Sequence, residues 1–185
     1  MKLRFQRLVV LVSIGLACAL LGCRASRPSP SVEAAREGAE LREIRASLDE
    51  LYRAFGFDAG GEPDWRAMEE LFVEGAAFVA PFGPGQTPRA VRSAEFRADF
   101  ERYVASDSVR ATGLHERILH ARIDVFGVVA HAFVAFEGFE PHSGALRTRG
   151  LDSLQLLLDR GRWRVASFTT QYESADEPLP PRFLE

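Results

Sequence analysis

The chain has 185 residues, 46% of them hydrophobic, and a formal net charge of -3. That length holds one domain with a real core, and the mixing of Arg with Asp and Glu, without a basic block, leaves no footprint for nucleic acid. Two cysteines and four histidines in no cluster exclude a disulfide scaffold and a structural zinc site, and neither a metal nor a cofactor is expected. The chain begins MKLRFQR, carrying Lys2, Arg4 and Arg7, and an apolar run follows from Leu8 to Gly22. Charge, then apolar residues, then a small residue is the order of a secretion signal, here 1–22. The run is shorter than the roughly 20 residues that a bilayer-spanning helix needs.

The signal ends in LLGC, Leu20 to Cys23, which resembles the lipobox of bacterial lipoproteins. The resemblance implies cleavage before Cys23 and attachment of acyl chains to it, so the membrane is a partner through the N-terminal lipid. Several acyl chains anchor stably where one would be reversible. Arg24 stands where an Asp would resemble the inner-membrane retention signal. The expected location is therefore the cell envelope, at the outer membrane and on its periplasmic side if the organism is Gram-negative. Both cysteines then leave the chemistry: Cys18 is in the discarded segment and Cys23 in the anchor. Residues 23–32 are rich in Ser and Pro with no apolar period, as in a tether.

The folded domain is expected over 33–174. Leu41, Ile44, Leu48, Leu51, Tyr52 and Phe55 recur at three and four and predict a first helix ending near Gly56. Trp65, Met68, Leu71 and Phe72 predict a short second helix. A brief strand and a Pro/Gly-rich loop follow over Glu74 to Gly85. Thr87 and Pro88 suit the start of a third helix, with Val91, Phe96, Phe100, Tyr103 and Val104 as its apolar face. After Gly113 the period changes to two. LHERILHARIDVFG alternates as a long strand, with His115, Arg117, Leu119, Ala121, Ile123 and Val125 on one side. Leu114, Glu116, Ile118, His120, Arg122 and Asp124 take the other, so His115 and His120 fall on opposite faces and hold no common metal. VVAHAFVAFEGF, ALRTRGLDSLQLLLD and RWRVASFTTQYE supply three more strands, and 175–185 reads as a loose tail. About three N-terminal helices followed by four long strands predict an α+β fold, the helices packed on a strongly curved antiparallel sheet with a cavity at one end.

This order, together with LYRAF at Leu51 to Phe55, WRAMEELF…AAFVAPFG, the HARIDVFGVVAHAFVAFE hairpin and RGLDSLQLLLDRGRWRVASFTTQYE, resembles the NTF2-like (SnoaL-like) superfamily over Leu41 to Glu173. The resemblance implies that superfamily's cone. The cone carries enzymes such as ketosteroid isomerase and polyketide cyclases, and also binders without turnover, so the fold does not choose among them. It places Tyr52 at the isomerase Tyr position and Asp152 at the oxyanion-binding Asp. The general base falls at Ala80, before Pro81, and alanine takes no proton, which argues against isomerase chemistry.

Asp152 shares strand parity with Leu154, Leu156 and Leu158. A carboxylate on that apolar side needs a partner or a raised pKa, with Tyr52 or a histidine on offer, or Arg147 or Arg149 at the surface. His131, between Val129 and Phe133, is a candidate for the cavity wall or for acid–base work. Trp65, Phe78, Phe82 and Phe133 complete the candidate lining. Ser153 and Gln155, with Leu157, Trp163 and Val165, are assigned to the outer face, where the superfamily often meets a second subunit. The favoured function is an anchored binder of a small apolar ligand or an envelope protein. The alternatives are an isomerase, cyclase or hydratase acting on a small apolar, polyketide-like or steroid-like substrate through Asp152, Tyr52 and His131, and a structural protein whose cone is packed solid with phenylalanine.

Overall fold

The computed structural model describes residues 30–80 and 87–185. Cys23, the segments assigned to signal and most of the tether, Pro81 and Phe82 lie outside the described residues. The chain runs α1 (Pro30–Phe55), α2 (Trp65–Leu71), β1 (Phe72–Ala80), β2 (Arg89–Arg92), α3 (Ser93–Val104), α4 (Asp107–Thr112), β3 (His115–Phe126), β4 (Val129–Phe139), β5 (Leu146–Asp159) and β6 (Arg162–Tyr172). A single 3-10 turn, Pro181–Phe183, ends it. Among the described residues, no helix is long and apolar enough to cross a membrane.

The helices pack on one curved six-stranded sheet, in the order β2-β1-β6-β5-β4-β3, which makes the α+β cone. The sheet is mixed rather than antiparallel throughout: β1 pairs with β6 in parallel, and every other pairing is antiparallel. Pairing between the first strand and the last is a long-range choice that local alternation does not encode. The stretch from Thr87 also differs from expectation. Arg89–Arg92 is an edge strand against β1, and the third helix starts only at Ser93. Pro88 lacks a donor, which an edge tolerates, and four residues are too few for alternation to announce a strand. A fourth helix, α4, was not anticipated.

The apolar stripe of α1 does what its spacing predicts. Ile44, Leu48, Leu51, Tyr52 and Phe55 are buried, and they meet Leu154, Leu156, Trp163 and Val165 of the sheet in one core. Burial of this kind contributes about 1.5–3 kcal/mol for each large apolar side chain. Nη2 of Arg162 donates to both carboxylate oxygens of Glu50 at 2.7 Å, which ties the β5–β6 hairpin to α1. Asp64 caps α2 by accepting the Ala67 N–H at 2.9 Å. Just past the C-terminal end of α1, Phe57 bridges Leu114 beside Gly113. Gly113 has φ 77°, and a Cβ there would sit 2.6 Å from the Phe57 carbonyl oxygen, so this crossing needs glycine.

Two bulges decide which side chains face inward. On β3 the register slips between Ile118 and His120, so Leu119 is the extra residue. Leu114, Glu116 and Ile118 face the core side before it, and Ala121, Ile123 and Val125 after it. His115 and His120, expected on opposite faces, consequently share the outer one. On β6 a slip at Ala166 puts both Trp163 and Val165, and then Phe168 and Thr170, inside. Trp163 and Val165 are therefore core residues, 2% exposed each, and not part of the outer face. The C-terminal residues fold back across that face, with Phe183 against Phe133 at 5.6 Å between ring centroids.

Candidate ligand-binding site

A cavity of about 710 Å³ opens at the end of the cone where β3 and β5 begin and β6 ends, beneath α3. Its walls are aromatic. Phe78 and Phe96 stack at 4.1 Å, Phe55 meets Phe100 edge-on at 5.4 Å, and Phe136 and Phe168 close the sheet side. Phe78 lies where the sequence placed it. The rings line this space and do not fill it, which departs from a cone packed solid.

Polar groups gather at the sheet side. Asp152, 1% exposed, projects from β5 between two donors. The Thr170 hydroxyl donates to its Oδ1 at 2.7 Å, and the Tyr52 hydroxyl, from α1, donates to its Oδ2. Burial pushes the Asp152 carboxyl up to about 7, while the hydrogen bonds from Tyr52 and Thr170 pull it back toward the ionised form. Burial, and then the adjacent Asp152 charge, hold the Tyr52 phenol well above its ordinary value. Asp152 and Thr170 border the cavity and Tyr52 does not, so Tyr52 positions the carboxyl from behind. Among the described residues no arginine pairs with Asp152: Arg149 reaches Glu173 at 3.6 Å, and Arg147 reaches Glu140 at 3.0 Å.

Glu116 is the functional candidate that sequence reasoning missed. It borders the same cavity from β3 and has no hydrogen-bond or ion-pair partner among the described residues. The residue is half-buried, but its carboxyl stands among the cavity walls. Burial first, and then the nearby Asp152 charge, raise it to about 8. The signal was present: Glu116 shares parity with Leu114 and Ile118, an acid inside an apolar alternation. Thr170 and Tyr172 also border the cavity from β6. The charged side chains of Arg89, Asp99 and Arg102 form an outer rim, where Asp99 pairs with Arg102 and stands 4.0 Å from Arg89.

Besides Tyr52, three more of the expected lining residues lie elsewhere. His131 faces outward from β4, its Nε2 3.0 Å from the Ser153 hydroxyl and its ring 4.4 Å from Phe133. Phe133 shares that outer face, with the Arg122 guanidinium 5.2 Å over its ring. Both sit one residue out of phase with the inward Ala132 and Val134. Trp65 packs edge-on against Phe100 at 5.8 Å and beneath Arg97 at 5.0 Å, beside a smaller groove of about 290 Å³ on the helical side. Ala80 ends β1 opposite Arg89. Among the described residues, no group of three His, Cys, Asp or Glu is placed to hold a metal ion.

No family model matches the chain, and no curated protein matches it. Solved structures do. An NTF2-like protein with a cystatin-like fold from Novosphingobium aromaticivorans aligns at TM-score 0.56 and 17% identity, over 87% of this chain and 99% of that one. A protein of unknown function with a cystatin-like fold from Nostoc punctiforme aligns at 0.56 and 13%, over 76% and 94%. An NTF2-like protein of unknown function from Silicibacter pomeroyi aligns at 0.50 and 23%, over 74% and 98%. These likenesses speak for the architecture and leave the chemistry to the side chains. The chain has the NTF2-like fold.

Proposed function

We propose that this protein is a lipid-anchored envelope protein that holds a small, largely apolar ligand in the cone, with the ligand's polar end against Asp152 and Glu116. The observation that carries the reading is the aromatic cavity of about 710 Å³ with two carboxyls on one side, while its two arginines, Arg89 and Arg102, stand at the rim beside Asp99. That volume is in the range of small-molecule sites. An anionic head group would face two carboxyls at close range, so the ligand's polar end is uncharged or cationic. A protonated carboxyl donates to a carbonyl or ether oxygen, and an ionised one pairs with an amine. The anchor is supported by the LLGC sequence at Leu20 to Cys23.

The test is titration of the full-length protein with the uncharged fluorophore N-phenyl-1-naphthylamine, followed by competition with a fatty alcohol and with the fatty acid of equal length. Emission should rise on binding and fall with the alcohol much more than with the acid. Thr148→Trp, which places an indole on the cavity wall, should abolish the rise while the protein stays folded. Equal emission from wild type and Thr148→Trp would sink the binding reading.

A second reading is favoured by one observation. Asp152 and Glu116, at about 7 and about 8, border one cavity and can hold and pass a proton near neutral pH. Proton transfer of the isomerase or hydratase kind would then run through these two groups and not through position 80. Deuterium uptake by a cyclic enone in heavy water, catalysed by wild type and lost in both Asp152→Asn and Glu116→Gln, would establish it. No uptake above the buffer rate would remove it.

A further inference from the structure

The end of the cone opposite the cavity mouth carries an exposed apolar tip. Phe126 is 88% exposed, and Val128, Val129, Leu157 and Leu158 are exposed with it. They are neighbours: Phe126 pairs with Val129, Val129 pairs with Leu157, and the Leu158 N–H donates to the Val128 carbonyl at 2.9 Å. The β3–β4 turn is only Gly127 and Val128, a two-residue hairpin loop where Asn, Asp and Gly are the usual residues. A valine and a phenylalanine at such a tip present apolar surface to whatever lies beyond it.

The chain enters the fold at this same end. Helix α1 runs antiparallel to β3, because Phe57 bridges Leu114 at the start of β3 and Arg45 donates to the Ala121 carbonyl midway along it. From Arg45 back to Pro30 the helix extends about 22 Å. From Ala121 to Phe126 the strand advances about 17 Å. The first turn of α1 therefore reaches the level of the apolar tip or passes it. From Pro30 back to Cys23 the chain spans at most about 25 Å even when fully extended.

We infer that the Phe126–Val129 turn, with Leu157 and Leu158, is the surface by which the anchored protein rests on its lipid bilayer, cavity mouth pointing away. This rests on acylation at Cys23, as proposed above. The short tether holds the tip within reach of the interface, where an exposed Phe and branched aliphatic side chains favour the headgroup–acyl boundary. Arg24 and Arg27 on the tether, and the exposed Arg160 in the adjoining β5–β6 turn, suit anionic headgroups.

The experiment uses the full chain, matured in cells and reconstituted into vesicles of phosphatidylethanolamine and phosphatidylglycerol containing a brominated lipid. Val128→Cys and, at the opposite end, His142→Cys each carry an environment-sensitive label; mass spectrometry of the same sample reports the acyl chains on Cys23. The label at 128 should shift to the blue and lose most of its emission to the quencher, and the label at 142 should do neither. An acylated protein whose label at 128 stays unquenched overturns the inference. A blue shift without quenching that grows with protein density assigns the tip to a second copy, and overturns it too. An unacylated Cys23 overturns the anchoring reading itself and this orientation with it, and the mass spectrum separates that failure from the others.

Discussion

The two halves of the cone are built from the same four long strands and the same helix, yet their inward positions carry different chemistry. Toward the tip, Ile44, Leu48, Leu51, Leu154 and Leu156 are at most 1% exposed and interlock. Toward the mouth, the inward positions become Glu116, Asp152, Thr170 and Tyr172, and the helix contributes a phenol in place of a leucine. One half is filled, the other lined. The lesson is that the filled half supports the cost of the lined half, where buried carboxyls and open volume oppose folding.

The comparison breaks most readily in the filled half. Leu51→Ala should lower unfolding stability by about 2–5 kcal/mol in urea, and a loss no larger than that of a surface change would mean the packing there is slack. Next, Tyr52→Phe removes a donor from a buried carboxyl and should cost about 1–3 kcal/mol. It should also move the Asp152 titration upward, seen by carboxyl-selective NMR, since the Tyr52 hydrogen bond favours the ionised form. An unmoved titration would show that Tyr52 does not act on Asp152.

Glu116→Gln sharpens the contrast through an effect that is absent at low pH and grows as pH rises. The folded Glu116 carboxyl holds its proton to about 8, against an ordinary value of 4.5. Its contribution is fully present below about 4.5 and is lost as pH rises through about 8. Wild type should therefore weaken across that window, and Glu116→Gln should be the more stable protein at its upper end, by on the order of 1–2 kcal/mol, and no different at pH 4. Parallel stability curves for the two proteins would contradict a buried, proton-holding Glu116. The smallest effect belongs to Phe126→Ser, which should stay within about 0.5 kcal/mol in the absence of lipid, because the ring is 88% exposed. A clear loss in thermal unfolding would mean the ring supports the hairpin.

What the sequence conveyed depended on how local the signal was. The stripe of α1 and the Leu154–Leu156 alternation were legible because their contacts repeat at the period of their own element. The Tyr52–Asp152 pair emerged from a resemblance, and the structure brings the two together. Parallel pairing of β1 with β6 was not legible, since nothing in either strand names its neighbour. His131, Trp163 and Val165 went to the wrong face for more specific reasons. His131 was grouped with an apolar strand whose inward phase belongs to Ala132 and Val134. Trp163 and Val165 are shifted by the bulge at Ala166.

The extra residue on β3 works as a shift of reading frame within a single strand. Everything before Leu119 is in one phase of inside and outside, and everything after it is in the other. The lined end and the filled end can thus drift in sequence independently, each keeping its own alternation. Deleting Leu119 would merge the two phases into one unbroken alternation: Glu116, Ala121, Ile123 and Val125 would all keep their inward side, and the strand would lose the bend and extra twist that the bulge gives it.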